Sequence, residues 1–207
     1  MLIIKNLCDF MKIIELINEL HYYQMYLGEF LSDFELNEAI CDLYEENKGC
    51  YNQYGLCLGN ISGALNYRQH MLCYLLFYND SDGKSIPKLI NRIRDTEIVN
   101  DKKLTAGIKN IVSKLEKPFA EAKNDIENLK EYRHNVYAHW NKKVFNSDWQ
   151  QEFALNHQFN YDKILELSIQ CFKIFSEILI LLGGEPFEKS LIKNHSIEYF
   201  FNKLKKQ

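Results

Sequence analysis

Residues 161–182 carry the clearest helical pattern in the chain. Asn160 precedes this pattern as a helix N-cap, and Gly183-Gly184 followed by Pro186 ends it. Charged side chains interrupt the segment, so it predicts a buried core helix and not a membrane span. Its apolar residues recur every three or four positions and therefore share one face of an α-helix: Ile164, Leu167, Cys171, Ile174, Ile178 and Leu181.

The same spacing predicts helices along most of the chain. Ser32-Asp33 and Ser85 are predicted N-caps, and Pro118 is predicted to bend or break one long helix. Residues 141–160 are polar and predict an irregular stretch with room for a short hairpin at most. The predicted helices cover residues 1–30, 34–49, 51–78, 85–98, 103–132, 161–182 and 196–205.

Glycine and proline are scarce, at 9 and 3 of 207 residues, which leaves little material for a turn-rich β architecture. The sequence therefore predicts an all-α fold, an up-and-down helical bundle with additional short helices. We expect a single domain over residues 1–207, with its core at about 5–183 and an appended C-terminal helical segment at 184–207. The start of the chain resembles no signal peptide and the six cysteines form no CxxC pair, which favours a cytoplasmic protein with reduced thiols.

Familiar catalytic and metal-binding patterns are missing from the sequence. Asn79 to Gly83 superficially resembles a calcium loop, but its register puts no oxygen ligand at the first and last loop positions. His70 and Cys73 lie one helical turn apart, and packing is the better explanation because no second pair completes a metal site. We expect no metal and no cofactor. The sequence contains no Gly-rich phosphate loop, no HExxH and no GxSxG.

Charge is unevenly distributed along the chain. Residues 1–80 hold 11 acidic and 4 basic side chains, whereas residues 81–207 hold 17 acidic and 21 basic ones, for a net charge of −3 overall. This asymmetry permits a basic face that a polyanion could approach, although solvated helix faces explain it equally well.

One segment of twelve residues, 132–143, concentrates side chains suited to RNA chemistry. An arginine grips phosphate through two parallel hydrogen bonds, and a histidine exchanges protons near neutral pH. Aromatic rings stack on bases, and lysines bind the phosphate backbone. The candidate catalytic residues are Arg133 and His139. The candidate substrate-binding residues are His134, Asn135, Tyr137, Trp140, Lys142 and Lys143.

This segment resembles the Arg-x(4–6)-His motif of the HEPN superfamily, whose members are helical-bundle proteins often found as RNase toxins. In that family a polar residue commonly follows the motif arginine, and here that residue is His134. The family's motif often ends in Ala-His, as Ala138-His139 does here. The order of long helices, polar loop, motif and final core helix is similar to the abortive-infection branch. The resemblance covers roughly residues 5–183. In the branch silenced by a small nucleotidyltransferase antitoxin, a tyrosine two residues after the motif histidine receives the modification. This chain has Asn141 there, so silencing through that position is excluded, while modification of Tyr137 stays open.

The resemblance implies a metal-independent endoribonuclease of a bacterial defence or toxin system, with RNA as its substrate and a possible antitoxin or defence-system partner. The alternative is a non-catalytic HEPN module that binds nucleotide, RNA or a protein partner. A third hypothesis is a helical interaction protein with no site, in which Arg133 and His139 only form an ion pair and a cap at a helix end.

The spacing of the two candidate catalytic residues carries a structural requirement. On an ideal α-helix, six residues rotate a side chain by about 600°, which leaves Arg133 and His139 about 120° out of line. They converge only if the helix ends or bends between them, or if each reaches a residue of a second copy. We therefore expect a homodimer in which the two motifs face one cleft.

Overall fold

The computed structural model describes residues 2–46, 51–78, 84–95, 101–138 and 147–187, and within them every regular element is helical. This confirms the predicted all-α class; the described residues contain no strand. The predicted C-terminal helix at 196–205 and the loop at 79–83 lie outside the described residues. The helices are α1 (Leu2–Glu46), α2 (Tyr51–Phe77), α3 (Ile86–Asp95), α4 (Lys102–Ser113), α5 (Glu116–Glu121), α6 (Lys123–Tyr132), a π-helix (Arg133–Ala138), α7 (Ser147–Asn156) and α8 (Tyr161–Leu181).

The long helices pack in an up-and-down arrangement. The α1–α2 pair is antiparallel, because Asn37 contacts Ser62 while Asp33 contacts Arg68 farther along α2. Helix α8 is likewise antiparallel to α1, and α6 is antiparallel to α2. Apolar side chains from all of these helices meet in one core. Its largest fully buried members include Tyr23, Leu27, Phe30, Phe77, Leu89, Ile108, Leu129 and Phe175.

Helix α1 is one continuous element of 45 residues, so the predicted break at Ser32-Asp33 is wrong. The Asp33 carboxylate does not serve as an N-cap; it accepts a 3.1 Å hydrogen bond from Arg68 on α2. Arg68 also donates to Glu29 at 2.6 Å. Burial raises the pKa of Asp33, and Arg68 opposes that rise. The side chain that looked like a helix start instead joins two helices, and its partner lies 35 residues away.

The predictions made for the segments around Ser85 and Pro118 agree with the structure in part. Helix α3 begins directly after Ser85, as predicted, although Ser85 Oγ is buried and caps no N–H in the described part of the chain. The predicted end of this helix at Ile98 lies outside the described residues. The helical stretch after residue 101 is broken at 114–115 and again at Ala122. Pro118 explains the first break, because proline cannot bond to the carbonyl of Lys114, four residues earlier.

Helix α7 lies within residues 141–160, where the sequence predicted irregular structure, so that prediction is wrong for Ser147–Asn156; residues 141–146 lie outside the described residues. Its sequence has no regular apolar stripe, and aromatic packing stabilises it instead. Phe153 is buried, stacks on Trp149 with ring centroids 4.9 Å apart, and contacts Tyr132 of α6 edge-on at 5.1 Å. Such a contact between distant segments is invisible to helical periodicity.

Helix α8 matches its prediction at both ends. The Asn160 side chain accepts hydrogen bonds from the N–H groups of Asp162 and Lys163. At the other end, the N–H groups of Gly183 and Gly184 bond to the carbonyls of Ile180 and Leu179, which is a Schellman motif. No described helix is long and apolar enough to cross a membrane.

Two glycine-to-alanine substitutions should change stability in opposite directions. Gly183 has a φ of +78°, so Gly183→Ala forces a left-handed residue and should cost about 1–2 kcal/mol of unfolding free energy. Gly63 lies inside α2 with open space around its missing Cβ, so Gly63→Ala should gain about 0.5–1 kcal/mol. Urea denaturation measures both changes. If both substitutions shifted the denaturation midpoint in the same direction, the backbone geometry described here would be contradicted.

Candidate functional site

The motif begins where α6 stops being an α-helix. Helix α6 ends at Tyr132, and the next six residues, Arg133–Ala138, form a π-helix. A π-helix is rare, occurs mostly as a single turn, and is frequently found at functional sites. The α-helical geometry therefore changes between the two candidate catalytic positions, at the place where their spacing required a departure from an ideal helix.

The π-helix changes the register of the motif. Its hydrogen bonds join residues five apart, whereas those of an α-helix join residues four apart. Each turn of a π-helix therefore holds more residues than the roughly 3.6 of an α-helix, so the rotation per residue along Arg133–Ala138 is smaller than on an ideal α-helix.

Arg133 is held by an aromatic ring and by no carboxylate in the described residues. The centre of its guanidinium lies 4.3 Å from the centroid of the Tyr74 ring, which is a cation–π contact. Its Nε is buried and has no hydrogen-bond partner within the described part of the chain. A buried N–H without an acceptor carries a desolvation cost, and a bound oxyanion would remove it.

The contact between Arg133 and Tyr74 belongs to a series of four side chains between α2 and α6. Tyr74 stacks on Tyr78 with centroids 5.0 Å apart and planes inclined by 20°. Lys130 Nζ lies 5.0 Å from the centroid of the Tyr78 ring. A hydrogen bond with Tyr78 raises the pKa of Lys130 and so favours its charged form. We call these four residues, Tyr74, Tyr78, Lys130 and Arg133, the cation–aromatic ladder.

Sequence reasoning missed three members of the ladder. Lys130 precedes the motif arginine by three residues, the interval that places two side chains on one helix face. Tyr74 lies in the last turn of α2 and Tyr78 directly follows the helix, four residues later, where its N–H still bonds to the Tyr74 carbonyl; this spacing likewise puts the two side chains side by side. Both spacings are visible in the sequence, but nothing in it pairs α2 with α6.

His134 and Asn135 have different surroundings. The His134 ring contacts Tyr74 edge-on, with centroids 6.2 Å apart. The Asn135 side-chain amide donates to the carbonyl oxygen of Glu131 at 3.0 Å and to its carboxylate at 3.1 Å. Asn135 therefore anchors the π-helix to the last turn of α6 through these two contacts.

The other predicted site residues are placed only in part. The backbone of Tyr137 belongs to the π-helix, and its side chain is outside the description. Four predicted residues lie outside the described residues: His139, Trp140, Lys142 and Lys143. The structure thus brings Arg133 and His134 to Tyr74, and the role of each predicted site residue stays a prediction.

Behind the motif lies a buried histidine, His70, which packs against aromatic side chains. His70 Nδ1 is 2.6 Å from the Asn66 carbonyl oxygen, an acceptor, so Nδ1 carries the proton when the ring is neutral; Tyr161 OH lies 3.0 Å from Nδ1 and 3.2 Å from Nε2. Burial lowers the pKa of His70 and favours this neutral form. Its ring packs against Tyr132, with centroids 5.9 Å apart, directly before Arg133. Cys73 is buried as well, and burial raises the pKa of its thiol.

Two further observations bear on where chemistry is possible. Within the described ranges, no three His, Cys, Asp or Glu side chains are grouped so that they could hold a metal ion. A cavity of about 410 Å³ lies between α3 and α5, lined in part by Ile90, Leu115 and Phe119. Its charged lining residues, Arg94 and Glu116, pair with each other at 2.8 Å. The cavity therefore lacks an unpaired group of the kind found at Arg133.

Comparison with protein families yields one match. The model of the HEPN_AbiU2 family, described as AbiU2, matches residues 71–200, which is well over half of the chain. The matched region begins near the end of α2 and includes the ladder, the π-helix, α7 and α8. Comparison with curated proteins and with solved structures finds no match.

Proposed function

The chain belongs to the HEPN_AbiU2 family of abortive-infection-related HEPN proteins, and from that premise we propose that it is a metal-independent endoribonuclease. The observation that carries the proposal is Arg133, a guanidinium stacked on Tyr74 with a buried Nε that has no acceptor among the described residues. A phosphate of RNA is a chemical match for this group, because arginine binds phosphate oxygens through parallel hydrogen bonds.

In the proposed mechanism, Arg133 stabilises the negative charge that develops on the phosphate. The 2′-hydroxyl of a ribose attacks the adjacent phosphorus, and negative charge accumulates on the non-bridging phosphoryl oxygens in the transition state. A fixed cation aimed at those oxygens stabilises the transition state more than the ground state. Stacking on Tyr74 supports this role, since it restricts a side chain that would otherwise rotate freely.

His139 has the second role in the proposal, that of moving protons. A neutral imidazole accepts the proton of the attacking 2′-hydroxyl, and an imidazolium donates a proton to the departing 5′-oxygen. The new bond joins the 2′-oxygen to phosphorus, and the bond to the 5′-oxygen breaks. The products are a 2′,3′-cyclic phosphate and a 5′-hydroxyl, so the net reaction consumes no water in this step.

The remaining motif residues are proposed to bind the RNA strand. His134 and Asn135 follow Arg133 in the π-helix, and in the proposal they contact the same nucleotide. Tyr137 and Trp140 offer rings for stacking, and Lys142 and Lys143 offer charges for phosphates. We further propose that the chain forms one domain and works as a homodimer in the cytoplasm, with an antitoxin or another defence protein as a partner.

A growth experiment tests the function and separates it from a non-catalytic binding module. Wild-type protein should arrest a bacterial host and degrade its RNA when expressed, whereas His139→Ala should do neither at the same protein level. Growth arrest by both forms with intact RNA would instead favour a module that acts by binding. Purified wild type that leaves RNA intact across a panel of single-stranded substrates would contradict the proposal.

Cleavage should persist in EDTA, because an arginine and a histidine supply both the charge and the proton transfer of the proposed step. The expected products are fragments with a 2′,3′-cyclic phosphate and a 5′-hydroxyl. Mass spectrometry of a defined oligonucleotide identifies both ends. Complete loss of cleavage in EDTA, with recovery on adding magnesium, would show that a metal ion performs the chemistry.

A further inference from the structure

The cation–aromatic ladder extends away from the motif arginine along α6. Arg133 covers Tyr74, Tyr74 stacks on Tyr78, and Lys130 lies over Tyr78. The two ends differ in accessibility. Tyr74 is only 6% exposed and is held between its neighbours. Tyr78 is half-buried, and 29% of the Lys130 side chain is exposed, so the outer end can be reached from solvent.

We propose that Tyr78 and Lys130 form a nucleotide-binding subsite of single-stranded RNA, next to the phosphate held by Arg133. In this subsite Lys130 leaves the Tyr78 ring to bind the phosphate of a nucleotide, and the base of that nucleotide stacks on the ring in its place. The inference rests on the proposed ribonuclease function, because that function places a phosphate of the RNA strand at Arg133. Tyr74 is then a positioning residue, because it holds both Tyr78 and Arg133.

The subsite suits one strand, because it combines two neighbouring cations with a ring on which a base can stack. Residues three apart on a helix have Cβ atoms about 5–6 Å apart, so Lys130 and Arg133 are placed to contact neighbouring phosphates of one strand. Stacking on a tyrosine requires an unpaired base with a free face. On the far side, the Glu127 carboxylate lies 3.8 Å from Lys130 Nζ, and its negative charge repels a further phosphate. The subsite therefore accommodates one nucleotide beyond Arg133.

The test is binding of a fluorescein-labelled single-stranded RNA with 2′-O-methyl sugars, which cannot be cleaved, to the full chain, followed by anisotropy. Tyr78→Ala should weaken binding about 10-fold, because stacking of one base contributes about this much. Tyr78→Phe keeps the ring and should bind within about 2-fold of wild type. A duplex of the same sequence should compete poorly.

Lys130→Gln tests the phosphate contact separately. It should weaken binding and reduce the slope of log K against log salt by about 0.7, the value expected for one lost phosphate contact on a single strand. Lys103→Gln is the matched control, because Lys103 is an exposed lysine on α4 and should change neither quantity. If Tyr78→Ala does not fold, Tyr78→Leu takes its place, because it fills the space without an aromatic face and should weaken binding in the same way, and the salt slope of Lys130→Gln tests the phosphate contact.

The outcomes separate the subsite from the function on which it rests. A wild-type chain that binds no RNA overturns the proposed function and the subsite together, and leaves a free nucleotide or a protein partner as the remaining ligands. Wild-type binding that Arg133→Ala weakens while Tyr78→Ala and Lys130→Gln leave it unchanged overturns the subsite alone. An unchanged salt slope in Lys130→Gln overturns the phosphate contact.

Discussion

Arg133→Ala is expected to slow RNA cleavage by about 100-fold or more while leaving the fold intact. Removing one group that stabilises developing charge in an active site typically costs this much in rate. The cost in stability should be small, about 0.5–1 kcal/mol, because the substitution removes one cation–π contact and Arg133 forms no ion pair with a described residue. Initial rates on a fluorogenic RNA and a thermal melt measure the two effects.

Two variants control this experiment. Arg133→Lys keeps the charge but loses the planar, two-pronged geometry, so its rate should fall between those of wild type and Arg133→Ala. Arg94→Ala makes the same change on α3, where the arginine pairs with Glu116, and cleavage should be unaffected. If Arg133→Ala cleaves at the wild-type rate, Arg133 is not catalytic. If it melts far below wild type, Arg133 is a structural residue at the end of α6.

The sequence predicts best those parts of the fold that neighbouring residues determine. Asn160 and Gly183 mark the ends of α8 because each acts on backbone groups within a few residues. Ser32-Asp33 carried the same kind of local signal, but the predicted N-cap is wrong because the Asp33 carboxylate pairs with Arg68 on another helix. Helix α7 was missed for a related reason, since the contact of Phe153 with Tyr132 stabilises it from outside its own sequence.

The candidate site shows the same division between local and distant information. The motif is continuous in sequence, so Arg133 and its neighbours could be chosen from spacing and residue type. The need for a departure from α-helical geometry also followed from the spacing, and the α-helix does end at Tyr132. The π-helix itself was not predicted, because its wider register depends on how the turn packs. The two tyrosines of the ladder lie in the last turn of α2 and directly after it, and only the packing of α2 on α6 brings them to Lys130 and Arg133.

A homodimer with a shared cleft is the second prediction with a large expected effect. The proposed reaction uses a base for the 2′-hydroxyl and an acid for the 5′-oxygen. Each chain offers one leading candidate for this work, His139, while His134 sits edge-on to Tyr74. A two-fold axis beside the π-helix would bring two arginines and two motif histidines to one substrate. Light scattering should therefore give twice the chain mass of 24.6 kDa.

Diluting wild-type subunits with His139→Ala subunits tests whether the cleft is shared. One part of wild-type protein is mixed with three parts of the His139→Ala variant. Before subunits exchange, the mixture contains only homodimers and should keep about one quarter of the activity of the same amount of wild-type protein. After exchange, a cleft that needs both histidines should keep about one sixteenth, since random pairing makes only that fraction of dimers fully wild type. The same sample before exchange is its own control. Activity that stays at one quarter after exchange would mean that each chain cleaves RNA alone, and a strict monomer that cleaves RNA would contradict the shared cleft directly.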